Sequence, residues 1–143
     1  MSNRRLQSLP DRPHVIVFDE YENSAEGPTI RVDIQSASRL HDLEAIFRKL
    51  AVGNLHQTAL SALPDGHWAP PLRELLLRVS RHSEVVMSGT SDSGLVCNWT
   101  ETQEGWLEAA EKVAAMAESR SSCHQYFDGL GYNNVTVEVA YLE

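Results

Sequence analysis

Between Thr29 and Leu50 the apolar residues change their period. Ile30, Val32 and Ile34 alternate, and Leu40, Leu43, Ile46, Phe47 and Leu50 then recur at intervals of three and four. Alternation turns one side of an extended strand toward a core, and three-four spacing does the same for one side of a helix. A one-faced strand that runs straight into a one-faced helix needs a shared apolar layer, so the chain is expected to pack helices on a sheet.

The rest of the chain extends this pattern. His14–Asp19 is β-branched and aromatic, and with 29–35 it reads as a hairpin whose loop covers Glu22–Pro28. The helix that follows is expected from Ser38 to near Gly53, with Glu44 and Arg48 spaced i,i+4 on its wet side. Asn54–Pro71 has no clean period and contains Pro64-Asp-Gly and Pro70-Pro71, so it reads as a long connection. Within it, Trp68 beside His67 is either an exposed contact or a plug at the edge of the core.

Leu72–Arg81 fits both periods. A strand from Glu74 is favoured because Glu84–Ser88 and Leu95–Thr100 follow across a Gly/Ser/Asp turn, giving a three-stranded meander. Thr100 and Gln103 fit a capping box, which starts a second helix with Trp106, Ala110, Val113, Ala114 and Ala117 on its dry face. After a connection over Ser119–Gly131, Val135, Val137 and Ala140 form a last strand. The order β-β-α-β-β-β-α-β implies an α+β two-layer domain: a mostly antiparallel sheet of about six strands with two amphipathic helices on one face. Residues 1–12, with Arg4, Arg5 and Arg12 and no periodicity, are expected to be a flexible arm, and 13–143 a single domain.

Charge is distributed unevenly. Residues 1–81 carry ten basic and ten acidic side chains, whereas 82–143 carry two basic and ten acidic, so the whole formal charge of −8 arises in the second part. Such a surface repels a nucleic-acid backbone or an anionic membrane, and neither is expected as a partner. Its simplest effect is solubility, and its more specific effect is attraction of a basic protein. The field is steepest where Glu101, Glu104, Glu108 and Glu111 step along one side of the second helix. Like charges at that spacing destabilise a helix by ~0.2–0.5 kcal/mol per pair, which the helix dipole offsets near the first turn and Lys112 offsets for Glu108. Asp19, Glu20 and Glu22, with Tyr21 among them, form a second acidic cluster. No metal is expected there, because alternation sends Asp19 and Glu20 to opposite faces and no calcium-loop spacing accompanies them.

No signal-like apolar run follows Met1-Ser-Asn-Arg-Arg, and no stretch approaches the ~20 apolar residues of a membrane span. A cytoplasmic location is therefore expected, with Cys97 and Cys123 as free thiols and the sequons at Asn98 and Asn134 unused. Ser121–Asp128 gathers a thiol, an imidazole and a carboxylate, yet neighbouring side chains such as Cys123 and His124 diverge. Catalysis would need Cys97 to meet His124 or His67 across the fold. No nucleophile elbow, phosphate-binding glycine loop, His-x-x-x-His or Cys-x-x-Cys accompanies them, so no cofactor is expected. A small enzyme or ligand-binding domain with a site near His67 and His124 is the alternative to a binding module.

The run Gly105-Trp-Leu-Glu-Ala-Ala through Cys123-His-Gln-Tyr-Phe, with the terminal acidic strand, resembles the immunity proteins of bacterial polymorphic toxins. The resemblance covers about a third of the chain. It implies an acidic, cytosolic, non-catalytic α+β domain that caps a secreted toxin domain, with Glu101, Glu104, Glu108 and Glu111 as contacts. The resulting expectation is an acidic module that occludes a basic protein, with Asp19–Glu22 as a further contact and Tyr21 and Trp68 as aromatic anchors. A homodimer through an uncovered sheet face or the terminal edge strand is the remaining possibility.

Overall fold

The computed structural model describes residues 16–23, 27–90, 92–119, 121–128 and 135–142, and the expected arm at 1–12 lies outside them. The described residues form nine strands and two α-helices. In chain order these are β1 (Ile16–Asn23), β2 (Gly27–Ile34), α1 (Ala37–Ala51), β3 (Gln57–Ala59), β4 (Gly66–Trp68), β5 (Leu72–Val79), β6 (Glu84–Thr90), β7 (Gly94–Glu101), α2 (Gln103–Glu118), β8 (Cys123–Asp128) and β9 (Thr136–Tyr141). The protein is an α+β two-layer fold. Its strands divide into two mixed sheets, however, ordered β4-β1-β2-β9-β8 and β3-β5-β7-β6, rather than one antiparallel sheet.

The division follows from where the helices send the chain. A hairpin, β1–β2, leads through α1 into β3 of the other sheet, and β3 pairs antiparallel with β5. A second hairpin, β6–β7, leads through α2 into β8 of the first sheet, and β8 pairs antiparallel with β9. The trailing strands then lie parallel to the opposite hairpins, β9 beside β2 and β5 beside β7. The chain is thus two ββαββ halves that exchange strands, with β4 as an addition to the first half. The helices repeat as well: Ser36 and Thr102 cap them, and the fourth, seventh, eleventh and fourteenth residues after each cap are buried. These are Leu40, Leu43, Phe47 and Leu50 in α1 and Trp106, Ala109, Val113 and Met116 in α2.

Several sequence expectations change. The meander is replaced by β7 between β6 and β5, because the β5–β7 pair is parallel. Residues 54–71 are not a plain connection. Leu60 is buried, β3 and β4 add to the two sheets, and Arg39 of α1 anchors the turn between them through Pro64 O at 2.7 Å and Asp65 at 3.2 Å. The expected connection over Ser119–Gly131 contains β8. The first helix and its end hold as expected, with Gly53 at φ +85° just beyond the cap.

The core lies where the helices meet the inner faces of both sheets. Phe47 of α1, Trp99 of β7, Trp106 of α2 and Phe127 of β8 pack with ring centroids 4.8–6.4 Å apart, favourable separations for tilted and edge-on aromatic contacts. The Trp106 indole donates to Arg78 O at 3.0 Å, which satisfies its N–H and ties α2 to β5. Both faces of β2 and β9 are buried. On the face opposite Ile30, Val32 and Val139, Arg31 donates to Asp33 at 2.8 Å and lies 3.9 Å from Glu138.

Candidate protein-docking surface

Helix α2 owes its start to Thr102, whose hydroxyl accepts from Gly105 N at 2.9 Å. The expected capping residue, Thr100, is instead a buried member of β7 opposite Glu84. Strand β7 runs one residue beyond the expected end, keeping both Thr100 and Glu101 in the ladder with β5, which outweighs the local capping pattern.

This shift removes Glu101 from the helix face. It sits half-buried at the end of β7, where its carboxylate accepts from Ser83 Oγ at 2.6 Å and from the indole N–H of buried Trp99 at 3.1 Å. Gly105 makes room for it, since a Cβ there would overlap Glu101 Oε1. The carboxylate therefore joins the starts of β6 and α2, and it is not a freely presented charge.

Glu104, Glu108 and Glu111 are exposed on one side of α2, and none has an ion-pair partner among the described residues. Lys112 does not neutralise Glu108. It lies 5.0 Å over the Phe127 ring with Nζ 3.5 Å from Tyr126 O, a position that covers the ring edge of the core. Only Glu104 is in the first turn, so the dipole stabilises one of three neighbouring carboxylates directly. Leu107 lies among them at 42% exposure, alone among the large apolar residues of α2 in being exposed. The sequence signal for Leu107 was its i+3 spacing from Glu104 on the polar side of the helix, which the charge reading passed over.

The face adjoins two recesses. One, of about 360 Å³, is lined by Ser83, Glu101, Glu104 and Glu108 together with Lys112 and Phe127. The other, of about 810 Å³, is bounded by Arg81, His82 and Gln103, and Glu104 stands on the rim of both. The first recess thus holds an excess of carboxylate, with Glu104 and Glu108 exposed, Glu101 engaged by Ser83 and Trp99, and Lys112 drawn back over Phe127, and Leu107 is exposed on the same side of α2.

The other expected residues are dispersed. Asp19, Glu20, Tyr21 and Glu22 belong to β1, opposite Arg31, Ile30, Thr29 and Pro28, and their side chains lie outside the described residues. Trp68 is not an exposed contact: it stacks on buried Phe18 at 4.0 Å and 12° and plugs the edge of the core. His67 and His124 occupy one row across the first sheet, through Val17, Asp33 and Ala140, but at opposite edges. Four inter-strand steps separate them, roughly 19 Å. Cys97 belongs to the second sheet and is fully buried, and loss of hydration pushes its thiol up to about 12. Cys123 and His124 are successive residues of β8, and both cysteines are free. The fold does not bring these four groups together. Among the described residues no group of three or more His, Cys, Asp or Glu side chains is placed to hold a metal ion, and no helix is long and apolar enough to cross a membrane.

By fold and surface the chain is an α+β protein of two strand-exchanged ββαββ halves with an unneutralised acidic helix face. Compared with models of protein families, curated proteins and solved structures, it finds no match.

Proposed function

We propose that this chain is a protein-binding module that neutralises a basic partner by covering it, with the exposed side of α2 as the contact. The observation that carries this reading is the set Glu104, Glu108 and Glu111, three exposed carboxylates on one helix face with no cation paired to them among the described residues. A face meant only for solubility gains nothing from placing like charges together at helical spacing, whereas a binding face recovers that repulsion when a cationic surface docks. Leu107 supplies the apolar centre, and the recess beside Glu108 accepts a lysine or arginine side chain. The resemblance of 105–127 to immunity proteins makes a secreted toxin domain the preferred partner, and occlusion the mechanism.

The test is capture from host lysate on the immobilised protein at low and moderate salt, followed by association kinetics with the retained protein. At low salt the double variant Glu104→Lys/Glu108→Lys should associate about ten-fold or more slowly than the parent, and the parent's rate should fall steeply with added salt. Equal rates for parent and variant would remove α2 from the contact.

A further inference from the structure

We infer that the partner adds an extended segment to the free edge of β6, running parallel to it, with basic residues just before the segment seated in the recess beside Glu101, Glu104 and Glu108. This rests on the basic-partner reading above and specifies how that partner is held.

The argument begins with the internal repeat. Strands β1 and β6 are the outer members of equivalent hairpins, each at the same place in its sheet. The outer edge of β1 is covered: β4 lies parallel to it through Ile16–Phe18, and Ala69 N continues the contact by donating to Phe18 O at 2.8 Å. Among the described residues no strand lies on the outer edge of β6. Its seven residues pair with β7 alone among the described residues, and none of them makes a further hydrogen bond or ion pair beyond those to β7, Ser93, Asn98 and His82. Among the described residues this kind of edge is therefore filled once, with a parallel strand, and its counterpart is open.

Sheet edges are commonly blunted by lysine, proline, an inward charge or a short strand. Glu84–Ser88 has no lysine or proline, and its one charge stands at the first position, while Gly89 at φ +90° ends the regular part of the edge. An edge of this kind accepts an added strand through main-chain bonds that any sequence can make, so selectivity must come from beside it. Ser83, immediately before β6, lines the recess with Glu101, Glu104, Glu108 and Lys112, so its lining carries three carboxylates to one ammonium, and that ammonium is held over Phe127. A parallel strand has its N-terminal end there, and so lysine or arginine just ahead of that strand would meet the carboxylates. A second copy of this chain is disfavoured as the occupant, since it would bring a formal charge of −8 against its equal.

The test uses the full chain and a defined probe, acetyl-Lys-Lys-Val-Thr-Val-Thr-Val-amide, followed by amide exchange in NMR spectra. At saturating peptide, alternate amides within 84–90 should exchange about five-fold or more slowly, as expected when outward N–H groups gain a partner. A peptide of the same sequence with alternate backbone nitrogens methylated on its pairing edge keeps the charge and should leave those amides unchanged. Equal effects of the two peptides, equal effects of a peptide with the lysines moved to its C-terminal end, no effect at all, or self-association of the chain through β6 in sedimentation would each overturn the inference. Equal binding of the normal and methylated peptides that is lost in Glu104→Lys/Glu108→Lys would overturn strand addition while leaving the acidic docking face standing.

Discussion

Replacing Gly105 by alanine tests whether Glu101 is held as a structural acceptor. In most helices this substitution stabilises, by up to ~1 kcal/mol through backbone entropy, and the gain is smaller in a first turn. Here the added methyl would overlap Glu101 Oε1 and lie 3.2 Å from Glu101 Cβ. The side chain must then rotate away from Ser83 Oγ and from the Trp99 indole, and the Trp99 N–H is left in an apolar setting. Hydrogen bonds to a charged group contribute ~1.5–3 kcal/mol each, and water recovers part of the loss at a half-buried site. A net destabilisation of about 1–3 kcal/mol is expected for Gly105→Ala. With m near 2 kcal/mol/M the urea midpoint falls by roughly 0.5–1.5 M. Circular dichroism is the suitable probe, because Trp99 is part of the perturbed contact. On a Glu101→Ala background the obstruction is absent, and Gly105→Ala should then be neutral or stabilising. A Gly105→Ala single variant as stable as the parent, or more so, would refute the reasoning.

Two further outcomes concern residues that the fold reassigns. In the native protein at pH 8, Cys123 should react with a thiol reagent well before Cys97, since Cys97 is fully buried and its thiol is pushed up to about 12 from 9.0; equal rates would contradict this. The folded-state value is raised, so the associated stability is intact below pH 9 and is lost as pH climbs toward 12, by up to ~1.4 kcal/mol per pH unit; Cys97→Ala should flatten that decline in denaturation series. Trp68→Ala should destabilise the fold by about 2 kcal/mol through loss of its stack on Phe18, without slowing association with the partner, and a slowed association would restore Trp68 as a contact.

Elements whose information is local were legible in the chain. Leu40, Leu43, Phe47 and Leu50 mark α1 without reference to any other segment, and Ile30, Val32 and Ile34 mark β2. What escaped depends on distant residues. Nothing near Leu75 states that β5 will lie parallel to β7, because that choice is made by α1 carrying β3 into the second sheet. Strand β8 carries a short signal, with Cys123 and Phe127 facing inward while His124 and Tyr126 are exposed, but its polar residues read as a connection. The helix start was misplaced because Thr100 and Thr102 are both competent caps, and pairing with β5 decides between them. On the candidate surface, Glu104, Glu108 and Glu111 were identified from spacing alone. Glu101 reads as a helix residue only from that same start, and Trp68 reads as contact or plug alike because its stacking partner lies fifty residues earlier.

The exchange of strands between halves also dictates an order of events during synthesis. The centre of the first sheet sets Thr29 beside Thr136, so the earliest hairpin waits for nearly the last strand before its inner edge is closed. The second sheet has no such delay: β3, β5, β6 and β7 all lie between Gln57 and Glu101, interrupted only by β4, and can assemble as soon as Glu101 has left the ribosome. A nascent chain therefore holds the β1–β2 hairpin with an unpaired inner edge until Thr136–Tyr141 has emerged, the period in which a chaperone or a neighbouring nascent chain has access to it.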